Sequence, residues 1–174
     1  MKEALVFAKY NQSGNRIIYD ILSKMSNDDR EKDRGSYYGS LSGLFCHIVG
    51  ATFYFLGMYK EVLGNNNDAL KALAVINGLS VPEGNLNDAQ WKELKSVMDA
   101  VDAAYVQMAE ALSQADMALP LKIDWYGGNP PDMPLSVMIH QLVVHNTHHR
   151  GQVSQILDSL KIDNDYSGIS PDCM

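Results

Sequence analysis

The chain has 174 residues, 46% hydrophobic and 20% charged, with a formal net charge of −7. That length favours one domain, expected over residues 1–174, with a core large enough to need no staples. The acidic balance and the lack of any Lys/Arg cluster argue against nucleic-acid binding, since nonspecific affinity comes from cations neutralising phosphates.

Met1-Lys2-Glu3 opens without the apolar stretch of a signal peptide, and no apolar run is read as long enough for a membrane span. Cys46 and Cys173 make a poor disulfide framework. A cytoplasmic, reducing location is the expectation.

The first helix is expected from about Glu3 to Met25, where Phe7, Tyr10, Gly14, Ile17, Ile18, Ile21, Leu22 and Met25 recur at helical spacing. Ser26 to Asp29 breaks it, and a loop or short helical turn follows to Tyr38. A second helix should begin near Ser40 to Ser42, where a serine can cap it, and run to about Leu63. Its stripe of Leu44, His47, Ile48, Ala51, Phe55, Met58 and Val62 aims His47 where the apolar side chains point. Gly64 to Asn67 terminates it. Residues 68–77 read as a short extra helix and 78–87 as a loop.

A third long helix is expected from Asn87 or Asp88 to near Ala115, with Trp91, Leu94, Met98, Val101, Tyr105, Met108 and Leu112 inward. Between Asp116 and Asp132, apolar residues alternate up to Trp125, and Tyr126 to Pro131 turns the chain; a short extended segment or small hairpin is expected. The last helix should open at Asp132 or Met133, with Pro134 in its first turn. Its inward stripe reads Leu135, Met138, Leu142, His145, His149, Gln152 or Val153, Ile156 and Leu160. The tail from Lys161 is loop-like. Together these elements describe an all-α four-helix bundle with one long crossover.

The chemistry concentrates in residues 140–152. Of five histidines, four (His140, His145, His148, His149) lie there. His145 and His149 are one helical turn apart, which stacks their rings roughly 6 Å apart on one face. Burying two imidazoles leaves up to four ring nitrogens to satisfy, at about 1–3 kcal/mol each. Either protein groups satisfy them, or the pair shares a divalent metal whose third ligand is His47. Three imidazoles leave a coordination position open, as catalytic sites do, and suit Zn²⁺, Ni²⁺, Co²⁺ or Fe²⁺. His148 falls one residue off the line, at its rim. Gln152, three beyond His149, is placed to orient an imidazole. Cys46 reads as a small buried hydrophobe.

His145-Asn146-Thr147-His148-His149-Arg150-Gly151-Gln152 resembles the H-x-x-H-H-R-G-Q signature of the DinB family, within the DinB/YfiT-like superfamily. The resemblance extends through Tyr10-Asn11, Arg34 to Leu41, Leu44 to Val49 and Gly168 to Asp172, so nearly the whole chain is covered. It implies a DinB/YfiT-like four-helix bundle with metal on His47, His145 and His149, zinc or nickel being usual. It also implies a homodimer and, by analogy with some relatives, a small-molecule substrate or low-molecular-weight thiol such as bacillithiol or mycothiol. Relatives often carry an acidic residue and a tryptophan where this chain has Thr52 and Phe55. Arg150 is expected at the surface or an interface, Gly151 against a neighbouring backbone, and Tyr10 and Asn11 in simple packing.

Three functions follow as expectations: a metal-dependent transferase or hydrolase, a non-catalytic metal-binding bundle, and a dimeric interaction protein.

Overall fold

The structure is a computed structural model that describes residues 3–65, 67–123, 125, 127–128 and 130–174. Four long helices form an all-α bundle: α1 (Glu3–Leu22), α3 (Leu41–Val62), α5 (Asp88–Ala111) and α6 (Leu135–Ser159). Two short ones, α2 (Asn27–Glu31) and α4 (Asp68–Ala72), sit in the connections. Helix α1 packs mainly on α5, and α3 on α6.

The helix starts follow from local chemistry. The Ser40 hydroxyl accepts from the Gly43 N–H at 3.0 Å and opens α3. Asn87 and Gln90 form a reciprocal capping box on α5. Helix α6 departs from expectation. Neither Asp132 nor Met133 caps it, because Met133–Pro134 is extended and pairs antiparallel with Pro120–Leu121. The Leu135 N–H then donates to the Leu119 carbonyl at 2.9 Å, so the strand pair replaces a side-chain cap. That pairing is the small hairpin expected in the crossover; Tyr126 and Asn129 of the expected turn, Asn66 of the expected α3 terminator, and Met1, Lys2 and Asp124 lie outside the described residues.

The core has two apolar halves. One gathers Phe55, Leu56, Tyr59, Val101, Tyr105 and Leu142; the other gathers Ile18, Leu44, Phe45, Ile48, Trp91 and Val153. Between them, at one level of the bundle, each long helix contributes buried polar groups: Asn11 and Asn15 from α1, Thr52 from α3, Asp102 from α5, Asn146, His149 and Arg150 from α6. This polar belt positions the site.

Helix α3 corrects the expectation about membrane-length apolar runs: by length and composition alone it is apolar enough to cross one. More than half of that stretch is buried, with Leu44, Phe45, Ile48, Val49 and Leu56 packed inside the bundle. Mean apolarity does not distinguish a core helix from a span. The C-terminal tail is also more ordered than expected: Pro171–Cys173 forms a short 3-10 turn against α1, with Tyr166 and Cys173 buried.

Candidate metal centre

The structure brings His47, His145 and His149 together. His47 Nε2 lies 3.1 Å from His145 Nε2 and 3.1 Å from His149 Nε2. One nitrogen from each of the three rings falls within 4.8 Å of the others, a grouping able to hold a metal ion. Metal–nitrogen bonds of about 2.0–2.1 Å in a tetrahedral site put ligand nitrogens roughly 3.3 Å apart, close to the spacing seen.

Proton accounting separates a metal site from ordinary core histidines. His149 Nδ1 donates to the Gln152 Oε1 acceptor at 2.7 Å, and His145 Nδ1 to Asn146 Oδ1 at 3.2 Å. The Asn146 orientation follows from its amide nitrogen, which donates to Asn11 Oδ1 and to the Thr52 hydroxyl. With the proton of each neutral ring on Nδ1, both Nε2 atoms carry lone pairs, and both point at His47 Nε2. One hydrogen on His47 can serve only one of them. A cation can serve all three.

Electrostatics agree. Burial, then the neighbouring His149 and His145, lowers His47 to about 4. Burial likewise lowers His145 and His149, partly offset by their hydrogen bonds to Asn146 and Gln152. All three rings are therefore neutral at pH 7, as ligation of a dication requires.

Tyr38 is a site residue that the sequence reading missed. Its ring stacks on His47 with centroids 4.1 Å apart, and its hydroxyl lies 2.9 Å from His47 Nε2. A tight turn delivers it there: Gly35 and Gly39 take φ of 72° and 73°, the left-handed region that favours glycine. Gly43 has no room for a side chain, since a Cβ there would sit 2.2 Å from the Tyr38 carbonyl oxygen. Three glycines flanking a tyrosine just before a histidine-bearing helix are the signal that could have found it.

Arg150 is corrected. It is buried, and it donates to Asn11 O at 2.9 Å, Asn11 Oδ1 at 2.8 Å and Asn15 Oδ1 at 3.0 Å. Its guanidinium lies 5.1 Å from the Tyr10 ring centroid. Asp102 faces it across the belt, accepting from Asn11 Nδ2 at 2.9 Å and Asn15 Nδ2 at 3.0 Å. Burial pushes Asp102 up to about 7, against the pull of the Asn15 amide and Arg150. Asn11 is thus a network residue rather than simple packing. The network reaches the site through Asn146, which touches His145. Gly14, not Gly151, is the close approach: a Cβ there would fall 2.9 Å from Arg150 Cζ, whereas Gly151 faces open space.

The other histidines stay outside. His140 is exposed, its Nδ1 donating to Ser136 O at 2.8 Å. His148 is exposed, edge-on to the His149 ring at 4.9 Å, which puts it at the rim. The buried Cys46 thiol is pushed up to about 12 by burial, Glu31 and Glu83, so it is a neutral thiol and a poor nucleophile.

His47 and His145 open onto a cleft of about 870 Å³ between α3, the 79–86 loop and Trp125, with Tyr38 and Gln141 at its edge. That volume suits a small molecule. The arrangement is three neutral nitrogens converging beside a cavity. A search of curated proteins finds no match, but the sequence model of the DinB family matches residues 1–160. With its helical bundle and its histidine cluster, the chain belongs to the DinB family.

Proposed function

We propose that this protein is a metal-dependent enzyme, a transferase or hydrolase acting on a small molecule. In this reading His47, His145 and His149 hold one divalent ion, zinc or nickel, with a coordination position open to the cleft. The observation that carries it is the convergence of three Nε2 atoms, two with lone pairs fixed by Asn146 and Gln152, beside a cleft that His47 and His145 line. The ion would supply Lewis acidity, activating a thiol or water for attack on an electrophile.

The chain's own residues do the rest. Gln152 and Asn146 hold two rings in the ligating tautomer. Tyr38 loses His47 Nε2 as an acceptor once that lone pair is committed, so its hydroxyl is free to donate to whatever occupies the open position. The thiol partner and a homodimer belong to the same reading; exposed Val137 and Val144 on the outer side of α6 suit a second copy.

Elemental analysis of untagged protein tests it, with close to one ion per chain expected in the wild type and little in His47→Ala. Metal-loaded protein is then screened against thiol–electrophile pairs and activated esters. Metal uptake with complete silence, and a protein group closing the fourth position, would leave the non-catalytic bundle instead.

A further inference from the structure

The cleft beside the histidines has a chemical bias that points to a class of ligand. A continuous aromatic wall leads outward from the site: the His145 ring is 6.3 Å from Phe55, Phe55 is 5.8 Å from Trp125, and Tyr54 is 6.5 Å from Trp125. Val81 and Pro82 line the facing loop, beside Glu83. Among the described residues no Lys or Arg lines the cleft, and Glu83 is its one carboxylate. Glu83 shares the cleft lining with Cys46 and His47 on its floor. The whole chain carries −7, which adds to the same sign.

From this we propose that the cleft binds a small molecule with an aromatic or apolar body and an uncharged or cationic far end, and disfavours anionic ends. The proposal rests on the metal reading for the reactive head alone; the body and its far end are recognised by protein groups. Aromatic faces attract a cation that anionic ligands cannot replace. A carboxylate brought near Glu83 is repelled, and an ammonium attracted. The histidine site takes the head, and the Glu83 end reads the charge of the tail.

Two arms test this separately. In the first, chelator-treated protein is titrated with benzylamine and with benzoate, following Trp125 fluorescence, with Trp125→Phe assigning the signal. Benzylamine is expected to bind roughly tenfold tighter. In the second, cobalt-loaded protein is titrated with 4-(mercaptomethyl)benzylamine and 4-(mercaptomethyl)benzoate, which share a thiol head and differ in tail charge. The amine is expected to win again, with Glu83→Gln bringing the two within about threefold and Glu83→Lys reversing the order. Equal or tighter binding of the anion in both arms, or an unchanged ratio in Glu83→Lys, overturns the proposal. If no cobalt enters, the metal reading fails, and the first arm still decides the cleft.

Discussion

Arg150→Met probes the polar belt on which the site is mounted. The change removes three hydrogen bonds, to Asn11 O, Asn11 Oδ1 and Asn15 Oδ1, and the positive charge facing Asp102. Asn11 Oδ1 keeps Asn146 as a partner, so Asn15 Oδ1 is the main acceptor left bare. Lost and orphaned hydrogen bonds cost about 1–3 kcal/mol.

The charge term depends on pH. Asp102 is raised from 3.8 to about 7 in the fold, so the unfolded chain releases its proton first. Wild-type stability from this group therefore falls as pH rises from about 4 to about 7, then levels off. Without Arg150 the carboxyl rises further, and the fall continues beyond pH 7. At pH 5.5 Asp102 is protonated in both folded proteins and the variant loses only the hydrogen-bond term. At pH 9 the loss approaches the roughly 3–5 kcal/mol of a broken buried pair. For a domain of this size that means a melting temperature lower by about 5 °C at pH 5.5 and about 12 °C at pH 9. Thermal denaturation of chelator-treated protein at the two pH values reads it, and adding Asp102→Asn should abolish the difference. A loss that is equal at both pH values, or greater in acid, would refute the reasoning.

Four further outcomes are expected. Gln152→Ala removes the acceptor on His149 Nδ1 and should weaken metal binding by roughly 10–100-fold with little change in melting, measured by competition with a chelator. Asn146→Ala should weaken it similarly and also cost stability by about 2 kcal/mol, because its amide bonds Asn11 and Thr52 inside the core. Tyr38→Phe removes a hydroxyl that competes for the His47 lone pair, so metal affinity should rise about fivefold; a fall would make the phenol oxygen itself a ligand. Gly14→Ala sets a helix-propensity gain of about 1 kcal/mol against overpacking of about 1–3 kcal/mol on a guanidinium held by three bonds. Denaturant midpoints should show a net loss in the wild-type background and a gain in Arg150→Ala.

Helix positions were legible in the sequence because they depend on near neighbours. Every residue that the 3.6-residue spacing named on the inward side of α5 is buried, although Val97, Asp102, Ala104 and Ala109 are buried there too, and Ser40 and Asn87 marked their own helix starts through local hydrogen bonds. The three histidines were legible because an i, i+4 pair inside an apolar stripe poses a solvation problem that His47 alone among the remaining histidines could answer. The belt was not. Hydrophobic patterning placed the α6 seam on His145 and Ile156, whereas Asn146, Arg150 and Leu157 are buried there, because a polar residue counts as outward until its partners are known. Those partners lie on α1, α3 and α5, far away in sequence, and only packing the four helices brought them to one level.

Tyr38 and the cleft were hidden for the same reason. A tyrosine in a glycine-rich turn says nothing about which imidazole it stacks on, and no local rule joins Glu83 to Trp125. The sequence by itself determined the bundle, the caps of α3 and α5 and the identity of the converging histidines, since periodicity and solvation act over a few residues. The tautomer of each ring, the buried charge pair beneath them and the face left open to a ligand were decided only by tertiary structure, because each is a relation between helices.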